Sequence, residues 1–202
     1  MNKGKLYVVS APSGCGKGTI LSEVLKNNTN LFYSVSATTR SPREGEIDGI
    51  NYYFLSLEEF EQEIDNGGML EYAQFCGNFY GTPKKKVVEK LEQGIDVILE
   101  IETVGAMKIK KAMKDAILIF ILPPSVSELR RRLNKRGTEE QSVIDKRVNE
   151  AEEEIKKACN YDYVMMNDEL EKAIEDFEAI LRASKLTNEN NINMIEEVLK
   201  NA

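Results

Sequence analysis

The chain has 202 residues, of which 42% are hydrophobic and 30% are charged, as in an ordinary globular domain. Its net charge of -7 argues against a general nucleic-acid or anionic-membrane surface, and its lack of histidine excludes a histidine base, a Ser-His-Asp triad and a histidine-bound metal. No apolar run reaches the roughly 18 residues of a membrane span, and three widely spaced cysteines (Cys15, Cys76 and Cys159) argue against a disulfide framework or a zinc site.

Strand patterns alternate with helical patterns along the chain. The predicted core strands are Leu6–Ser10, Phe32–Ala37, Val97–Glu102, Ala116–Leu122 and Tyr163–Met166. A helical apolar stripe that includes Ile20 and Val24 follows the first of them. The fourth is apolar throughout, which is typical of a strand covered on both faces. This alternation predicts an α/β fold in which helices flank a parallel five-stranded core sheet.

The interval from 40 to 94 breaks this alternation. It contains two further strand patterns, Tyr52–Leu55 and Leu70–Phe75, then a turn at Gly77-Asn78 and a helix that opens at Thr82-Pro83. We interpret it as a small α+β lobe inserted between the second and third core strands. The chain is thus predicted to be one domain, 1–202, with a core of 1–39 and 95–202 and a lobe of about 40–94. Ile192–Leu199 predicts a last amphipathic helix.

The sequence APSGCGKGT follows the first strand directly and approximates the phosphate-loop pattern G-x-x-x-x-G-K-[ST]. Ala11 replaces the first glycine, and Gly18 replaces the hydroxyl residue, with Thr19 one place later. Glycines let backbone N–H groups wrap an anion at a helix N-terminus, and Lys17 is expected to reach the β- and γ-phosphates. A glycine-rich turn without a ligand is the alternative. Cys15 has two interpretations, a reactive thiolate near a helix N-terminus or a residue that merely fills a free position.

Two acidic residues end the third predicted strand. Glu100 and Glu102 are two apart, so their side chains point to one side of the strand, as expected of a carboxylate near a nucleotide-bound metal. Solvated acids at a strand end are the alternative interpretation, and this pattern alone does not decide between the two.

The stretch TTRSPREGEIDGINYYFL, from Thr38 to Leu55, resembles the signature of the guanylate kinase family. The motifs LEYAQF, NFYGT, LEIETVG, FILPPS, RRRLNKRGTEE and VMMND follow in the family's order, so the resemblance covers nearly the whole chain. It implies a P-loop kinase fold with a nucleoside-monophosphate lobe and a mobile helical lid at about 130–150. It also implies that ATP, with Mg²⁺, phosphorylates GMP to give ADP and GDP by direct in-line transfer.

The resemblance also implies a role for individual residues. The ATP site comprises Ala11, Pro12, Ser13, Gly14, Cys15, Gly16, Lys17, Gly18, Thr19 and Asn167, the last near the adenine. The GMP site comprises Arg40, Arg43, Tyr52 and Tyr80 at the phosphate, Ser36, Glu71 and Thr82 at the guanine edge, and Gly81 and Glu102 beside them. The catalytic cations are Lys17, Arg132, Arg136 and Arg147, and the metal is held by Thr19 and Glu100, directly or through water. Relatives usually carry Asp where this chain has Glu100 and Glu102.

The reaction's chemistry agrees with this composition. A phosphate monoester is largely a dianion at pH 7 and already a nucleophile, so its phosphorylation needs positioning and cations more than a histidine base. The alternatives are a non-catalytic binding module, a kinase of another small acceptor, and a nucleotide-dependent switch. We expect a cytoplasmic enzyme that binds ATP and GMP, with no nucleic-acid or membrane partner; the oligomeric state is left open.

Overall fold

The computed structural model describes residues 3–75, 77–135 and 140–200. Its strands are β1 Leu6–Ser10, β2 Leu31–Tyr33, β3 Ala37–Thr38, β4 Tyr53–Phe54, β5 Met69–Phe75, β6 Asn78–Pro83, β7 Asp96–Glu100, β8 Ile117–Leu122 and β9 Tyr163–Met166. Its α-helices are α1 Lys17–Asn27, α2 Leu57–Asp65, α3 Lys84–Glu92, α4 Thr103–Ala112, α5 Val126–Lys135, α6 Gln141–Lys156, α7 Leu170–Ala183 and α8 Asn188–Lys200, with a 3-10 turn at Lys157–Asn160.

The core is a five-stranded parallel sheet in the order β2-β7-β1-β8-β9. Every residue of β1 is buried, and its central Val8 lies in register with Leu99 of β7 and Leu118 of β8. A parallel strand that is covered on both faces needs apolar residues throughout, which explains the run in β8. The predicted α/β fold and parallel five-stranded core are confirmed.

Helices cover both faces of this sheet. Side chains alternate along β1, so Leu6 and Val8 face one layer while Tyr7 and Val9 face the other. The first layer contains α3 and α4, through Val87, Leu91 and Ile109 among others. The second contains α1 and α7, through Ile20, Val24 and Phe177. This packing fixes the start of α1 at the carboxyl end of β1.

A second sheet, in the order β4-β3-β6-β5, forms the inserted lobe. Its β3 pairs parallel with β4 and antiparallel with β6, which also pairs antiparallel with β5. Helix α2 covers it with Phe60, which is fully buried and stacks on Phe79 with 5.6 Å between ring centroids. The division of the chain into core and lobe stays a prediction, although the sheet pairing already begins at Ala37.

Three predicted elements are wrong in detail. The strand predicted at 97–102 ends at Glu100, and Glu102 is the N-cap residue of α4, so the two acids do not share one strand. The strand predicted at 32–37 is two strands in different sheets: Ser34 N–H still donates to Ile98 O of the core (2.9 Å), and the chain then crosses to the lobe. The helix predicted to open at Thr82-Pro83 begins at Lys84, because 78–83 form β6. Gly81 is a strand residue here, paired with Ala37 and Tyr72, and a Cβ on it would lie only 3.0 Å from Phe60 Cζ.

The predicted lid region, about 130–150, corresponds to α5 and α6. These helices pack through an apolar cluster of Leu129, Leu133, Ile144, Val148 and Ala151. Residues 136–139, which include the predicted catalytic Arg136, lie outside the described part of the chain. Among the described residues, no helix combines the length and apolar character that a membrane crossing requires.

Candidate active site

One cavity of about 790 Å³ opens between the core sheet and the lobe, at the carboxyl ends of β1 and β7. Ligands of parallel α/β sheets bind at this edge. The core contributes the loop of residues 11–19 together with Glu100 and Glu102. The lobe side contributes Ser36, Arg43, Tyr52, Glu71, Tyr80 and Gly81. The structure therefore brings most of the sequence-predicted site residues to the walls of a single space.

The loop before α1 depends on two glycines in the left-handed region. Gly14 and Gly16 both have a φ of 90°. A Cβ on Gly14 would lie 2.7 Å from Leu133 Cδ2, and one on Gly16 would lie 2.5 Å from Asn167 Nδ2. Glycine is therefore required at both positions, by conformation and by space. At Gly18 a Cβ would meet nothing within 4 Å, so the missing hydroxyl residue has no steric cause.

Asn167 and Arg132 hold the loop from outside. Asn167 is buried and its amide donates to Cys15 O at 2.6 Å. Arg132 donates to the same carbonyl (3.4 Å), to Asn167 O (3.1 Å) and to Glu128 Oε1 (2.8 Å). Neither side chain belongs to the cavity wall, so both support the loop in this conformation.

Arg147 reaches the loop from helix α6. Its Nη2 donates to the hydroxyl of Ser13, an exposed residue of the loop. The guanidinium thus lies at the mouth of the loop 11–19. Two of the three predicted lid arginines, Arg132 and Arg147, are therefore in contact with the loop, and Arg136 lies outside the described residues.

Lys17 and Glu100 face each other at the floor of the cavity. Lys17 Nζ lies 3.6 Å from Glu100 Oε1, with 18% and 28% of the two side chains exposed. The other carboxylate oxygen accepts from Tyr33 O–H at 2.9 Å. Burial and the Glu100 carboxylate raise the pKa of Tyr33 well above its usual value, so it remains a donor. Sequence reasoning missed Tyr33, whose proximity follows only from the pairing of β2 with β7.

Arg40, Tyr52 and Tyr80 cluster in the lobe. Arg40 lies 5.4 Å from the centroid of the Tyr52 ring, and Tyr52 and Tyr80 meet edge to face at 6.0 Å. Glu46 orders this group, because it accepts from Arg40 Nη2 (2.9 Å) and from the Arg43 backbone N–H (2.7 Å). The hydrogen bond from Arg40 lowers the pKa of Glu46, which therefore stays ionised. Arg43, by contrast, directs an exposed side chain to the cavity.

Glu71 is the buried acid of the site. Only 7% of it is exposed, and its Oε1 accepts from the Thr82 hydroxyl at 2.8 Å. Burial raises the pKa of its carboxyl, with Glu102 acting in the same direction, whereas Thr82 and Lys108 oppose the shift. Glu71 and Ser36 line the same cavity, and Thr82 contacts the Glu71 carboxylate without being part of the cavity wall.

Glu154 is a cavity residue that sequence reasoning missed. It is half-buried on α6, where burial raises the pKa of its carboxyl and Glu102 adds to the effect. It follows Arg147 by seven residues, so the two lie on one face of the helix. This seven-residue spacing from Arg147 is the feature of the sequence that could have identified Glu154 as a site residue. Ala73, Ile101 and Gly105 also line the cavity without having been predicted.

The interpretation of Cys15 as a reactive thiolate is wrong. The residue is fully buried, and its Sγ lies 3.5 Å from Ile121 O. Burial raises the pKa of the thiol to about 11, although Arg132 and Lys17 oppose the shift. Loss of solvation outweighs the favourable field of the helix N-terminus, so Cys15 fills a position in the core beneath the loop.

The donors around Lys17 fit a divalent ion carried by a nucleotide. Within residues 3–75, 77–135 and 140–200, no three His, Cys, Asp or Glu side chains group closely enough to form a metal cage. Glu100 supplies one carboxylate at the cavity floor, and Thr19 is the exposed last residue of the loop 11–19. Mg²⁺ typically uses one or two carboxylates, substrate phosphates and water, which matches this sparse set.

The amino-acid sequence matches the guanylate kinase family model over residues 3–184. The chain belongs to the guanylate kinase family. It is 55% identical to the guanylate kinase of Carboxydothermus hydrogenoformans over 92% of this chain and 91% of that protein, and 52% identical to that of Latilactobacillus sakei over 92% of each. A crystal structure of guanylate kinase from Anaplasma phagocytophilum superposes with a TM-score of 0.76 at 36% identity, covering 92% of this chain and 88% of that one.

Membership of the guanylate kinase family confirms three predictions: the family, the P-loop kinase fold and the enzyme class, a phosphotransferase. The alternatives of a non-catalytic binding module and of a nucleotide-dependent switch are therefore set aside. The roles of individual site residues rest on the geometry described above and stay predictions.

Proposed function

We propose that the cavity between core and lobe binds ATP and GMP together, each on its own wall. The reaction is the ATP-dependent phosphorylation of GMP to GDP, with ADP as the second product. The observation that supports the two-wall assignment is that the loop 11–19 and the acceptor-side residues Arg43, Tyr52 and Glu71 line one continuous space. Two nucleotides bound on opposite walls bring the transferred phosphoryl and its acceptor within reach of each other.

On the core wall, the loop 11–19 holds the phosphates of ATP. Its backbone N–H groups and the N-terminus of α1 attract the β- and γ-phosphates, and Lys17 neutralises charge on the transferring group. Arg132 and Arg147 join from the lid helices, while Asn167 lies beside Cys15 on the side assigned to the adenine. The role predicted for Arg136 is part of the same proposal.

On the lobe wall, Arg40, Arg43, Tyr52 and Tyr80 hold the phosphate of GMP. A phosphate dianion accepts hydrogen bonds from guanidinium and phenol groups, and charge-assisted bonds are the stronger ones. Glu46 keeps the Arg40 guanidinium in place before GMP binds.

The guanine is read by Glu71, with Ser36, Thr82, Gly81 and Glu102 around it. Guanine presents N1–H and its amino group side by side, and a carboxylate accepts from both. Adenine offers an acceptor at N1 instead, which opposes the carboxylate's lone pairs. The buried position of Glu71 makes this mismatch costly, because no water can replace the missing donor.

Transfer occurs in line, from ATP to the GMP phosphate. The acceptor phosphate is already a dianion near neutral pH, so no residue has to remove a proton. An ATP-dependent kinase requires a divalent metal; we propose Mg²⁺, held by Glu100 and Thr19 directly or through water. When bound with ATP, it supplies neutralisation of charge on the β- and γ-phosphates. We further propose a cytoplasmic enzyme of purine nucleotide metabolism with no nucleic-acid or membrane partner.

The acceptor wall is tested by Arg43→Ala. We expect kcat/KM for GMP to fall about tenfold while KM for ATP stays unchanged, because a charge-assisted hydrogen bond is worth about 1.5–3 kcal/mol and an exposed arginine lies at the lower end. The segment 40–46 should keep its conformation, since the backbone N–H of Arg43, not its side chain, donates to Glu46. Steady-state ADP formation measures both constants.

The matched control for this test is Arg182→Ala, which removes an exposed arginine of α7 on another side of the molecule. It should leave both constants unchanged. If Arg43→Ala instead raises KM for ATP and spares GMP, the two walls have been assigned the wrong way round.

A further inference from the structure

Gly105 lies in the first turn of α4 and is buried against the guanine side of the cavity. A Cβ at this position would lie 2.8 Å from Glu71 Oε2 and 3.2 Å from Glu71 Cδ. Its next neighbour, Ile101 Cδ1, would lie at 3.4 Å, which is ordinary van der Waals contact. The one group that a side chain here would displace is therefore the Glu71 carboxylate.

Nothing in the helix itself calls for glycine at this place. Gly105 has helical backbone angles and is not among the positive-φ glycines of the described residues. Alanine is favoured over glycine inside helices, because glycine has more conformational freedom to lose on folding. The sequence thus forgoes a better helix former at the position that faces Glu71.

The Glu71 carboxylate is confined on its other side as well. Its Oε1 accepts from the Thr82 hydroxyl at 2.8 Å, and only 7% of Glu71 is exposed to solvent. A methyl group on α4 would push the end of this side chain toward the cavity, since a flexible carboxylate moves more easily than a helix. That movement would strain or break the Thr82 bond and change where the carboxylate meets a ligand.

We propose that Gly105 is a positioning residue for base recognition, which acts through Glu71 by leaving room for its carboxylate against α4. The inference rests on the proposed function of Glu71 as the residue that accepts from guanine. It adds to that function a steric requirement on the opposite helix, so that the acceptor's position is set jointly by Thr82 and by the absence of a side chain at Gly105.

The test is Gly105→Ala in the full chain. We expect kcat/KM for GMP to fall about tenfold, as for a misplaced charge-assisted bond, with KM for ATP unchanged and with a protein that still unfolds cooperatively, because the helix preference of alanine offsets part of the weakened Thr82 bond. A structural role would give a different pattern, a loss of cooperative unfolding and losses with both substrates, and that pattern would overturn the proposal. Val104→Ala, at the exposed neighbouring position, is the control and should change neither constant.

A double-mutant cycle with Glu71→Ala establishes whether Gly105 acts through Glu71. In the Glu71→Ala background, Gly105→Ala should cause no further loss with GMP, because the displaced group is gone. An equal further loss would refute the coupling. If Glu71→Ala alone leaves GMP kinetics unchanged, the function proposed for Glu71 fails; if it impairs them while Gly105→Ala does not, only the inference about Gly105 fails.

Discussion

Replacing Lys17 by alanine is expected to reduce turnover with ATP and GMP roughly a hundredfold or more in a protein that remains folded. The ammonium lies at the start of α1, where the proposed mechanism places the γ-phosphoryl during transfer. Charge develops on that group in the transition state, and a positioned cation in a confined cavity stabilises it more than water does. Lys17 is thus expected to contribute mainly to kcat.

The protein should remain folded after this change because Glu100, the ion-pair partner of Lys17, keeps a second hydrogen-bond donor. Glu100 retains the hydrogen bond from Tyr33 O–H at 2.9 Å, and 28% of its side chain is exposed. Steady-state ADP formation with thermal unfolding of the same samples measures both effects. Lys26→Ala removes a lysine from the other end of α1, 65% exposed and paired with Glu23, and serves as the control. Near-normal turnover in Lys17→Ala would refute the donor-site assignment.

Glu71→Gln is expected to lower kcat/KM for GMP by about one to two orders of magnitude and to leave KM for ATP almost unchanged. The lost charge-assisted pair is worth about 1.5–3 kcal/mol, and burial of Glu71 places the effect in that range. Glutamine keeps the shape but presents an amide donor to one of guanine's donors. The phosphate loop and the arginine cluster are untouched, so ATP binding has no reason to change.

The preference for GMP over AMP is the quantity to compare between wild type and Glu71→Gln. It should fall in the variant, because glutamine can donate to adenine N1 where glutamate cannot. Glu61→Gln, an exposed change on α2 of the same lobe, provides the control. An unchanged preference in Glu71→Gln would remove this residue from the guanine site.

The core sheet and the phosphate loop could be predicted from the sequence because their signals are local. The apolar run at 117–122 is typical of a strand covered on both faces, and Gly14, Gly16 and Lys17 form a short motif directly after β1. The fold of the core therefore follows from patterns within single segments.

The lobe was predicted less well because its strands are short and depend on partners. A strand of two residues, such as Ala37–Thr38, has no periodicity to detect, and it pairs with β4 and β6 only after the chain leaves the core. Gly81 and Pro83 are typical of turns, yet they lie in β6, where Gly81 pairs with both β3 and β5 and Pro83 pairs with β5 alone. Tertiary pairing overrides local propensity here.

The same limit applies to the site. Tyr33, Glu154 and Gly105 come from elements far apart in the chain, and each acquires its relevance through a neighbour: Glu100, Glu102 and Glu71 respectively. A tyrosine at a strand end or a glycine in a helix carries no signal on its own. Only the cavity that brings these elements together distinguishes them from ordinary structural residues.

The central claim, that this cavity transfers a phosphoryl group specifically to GMP, is tested most directly by one coupled assay. ADP formation from ATP is measured with GMP, AMP, CMP and UMP in turn. We expect rapid ADP formation with GMP and a kcat/KM at least tenfold lower with each of the others, because only guanine offers two adjacent donors to a buried carboxylate. Equal kcat/KM with AMP and GMP would contradict the claim.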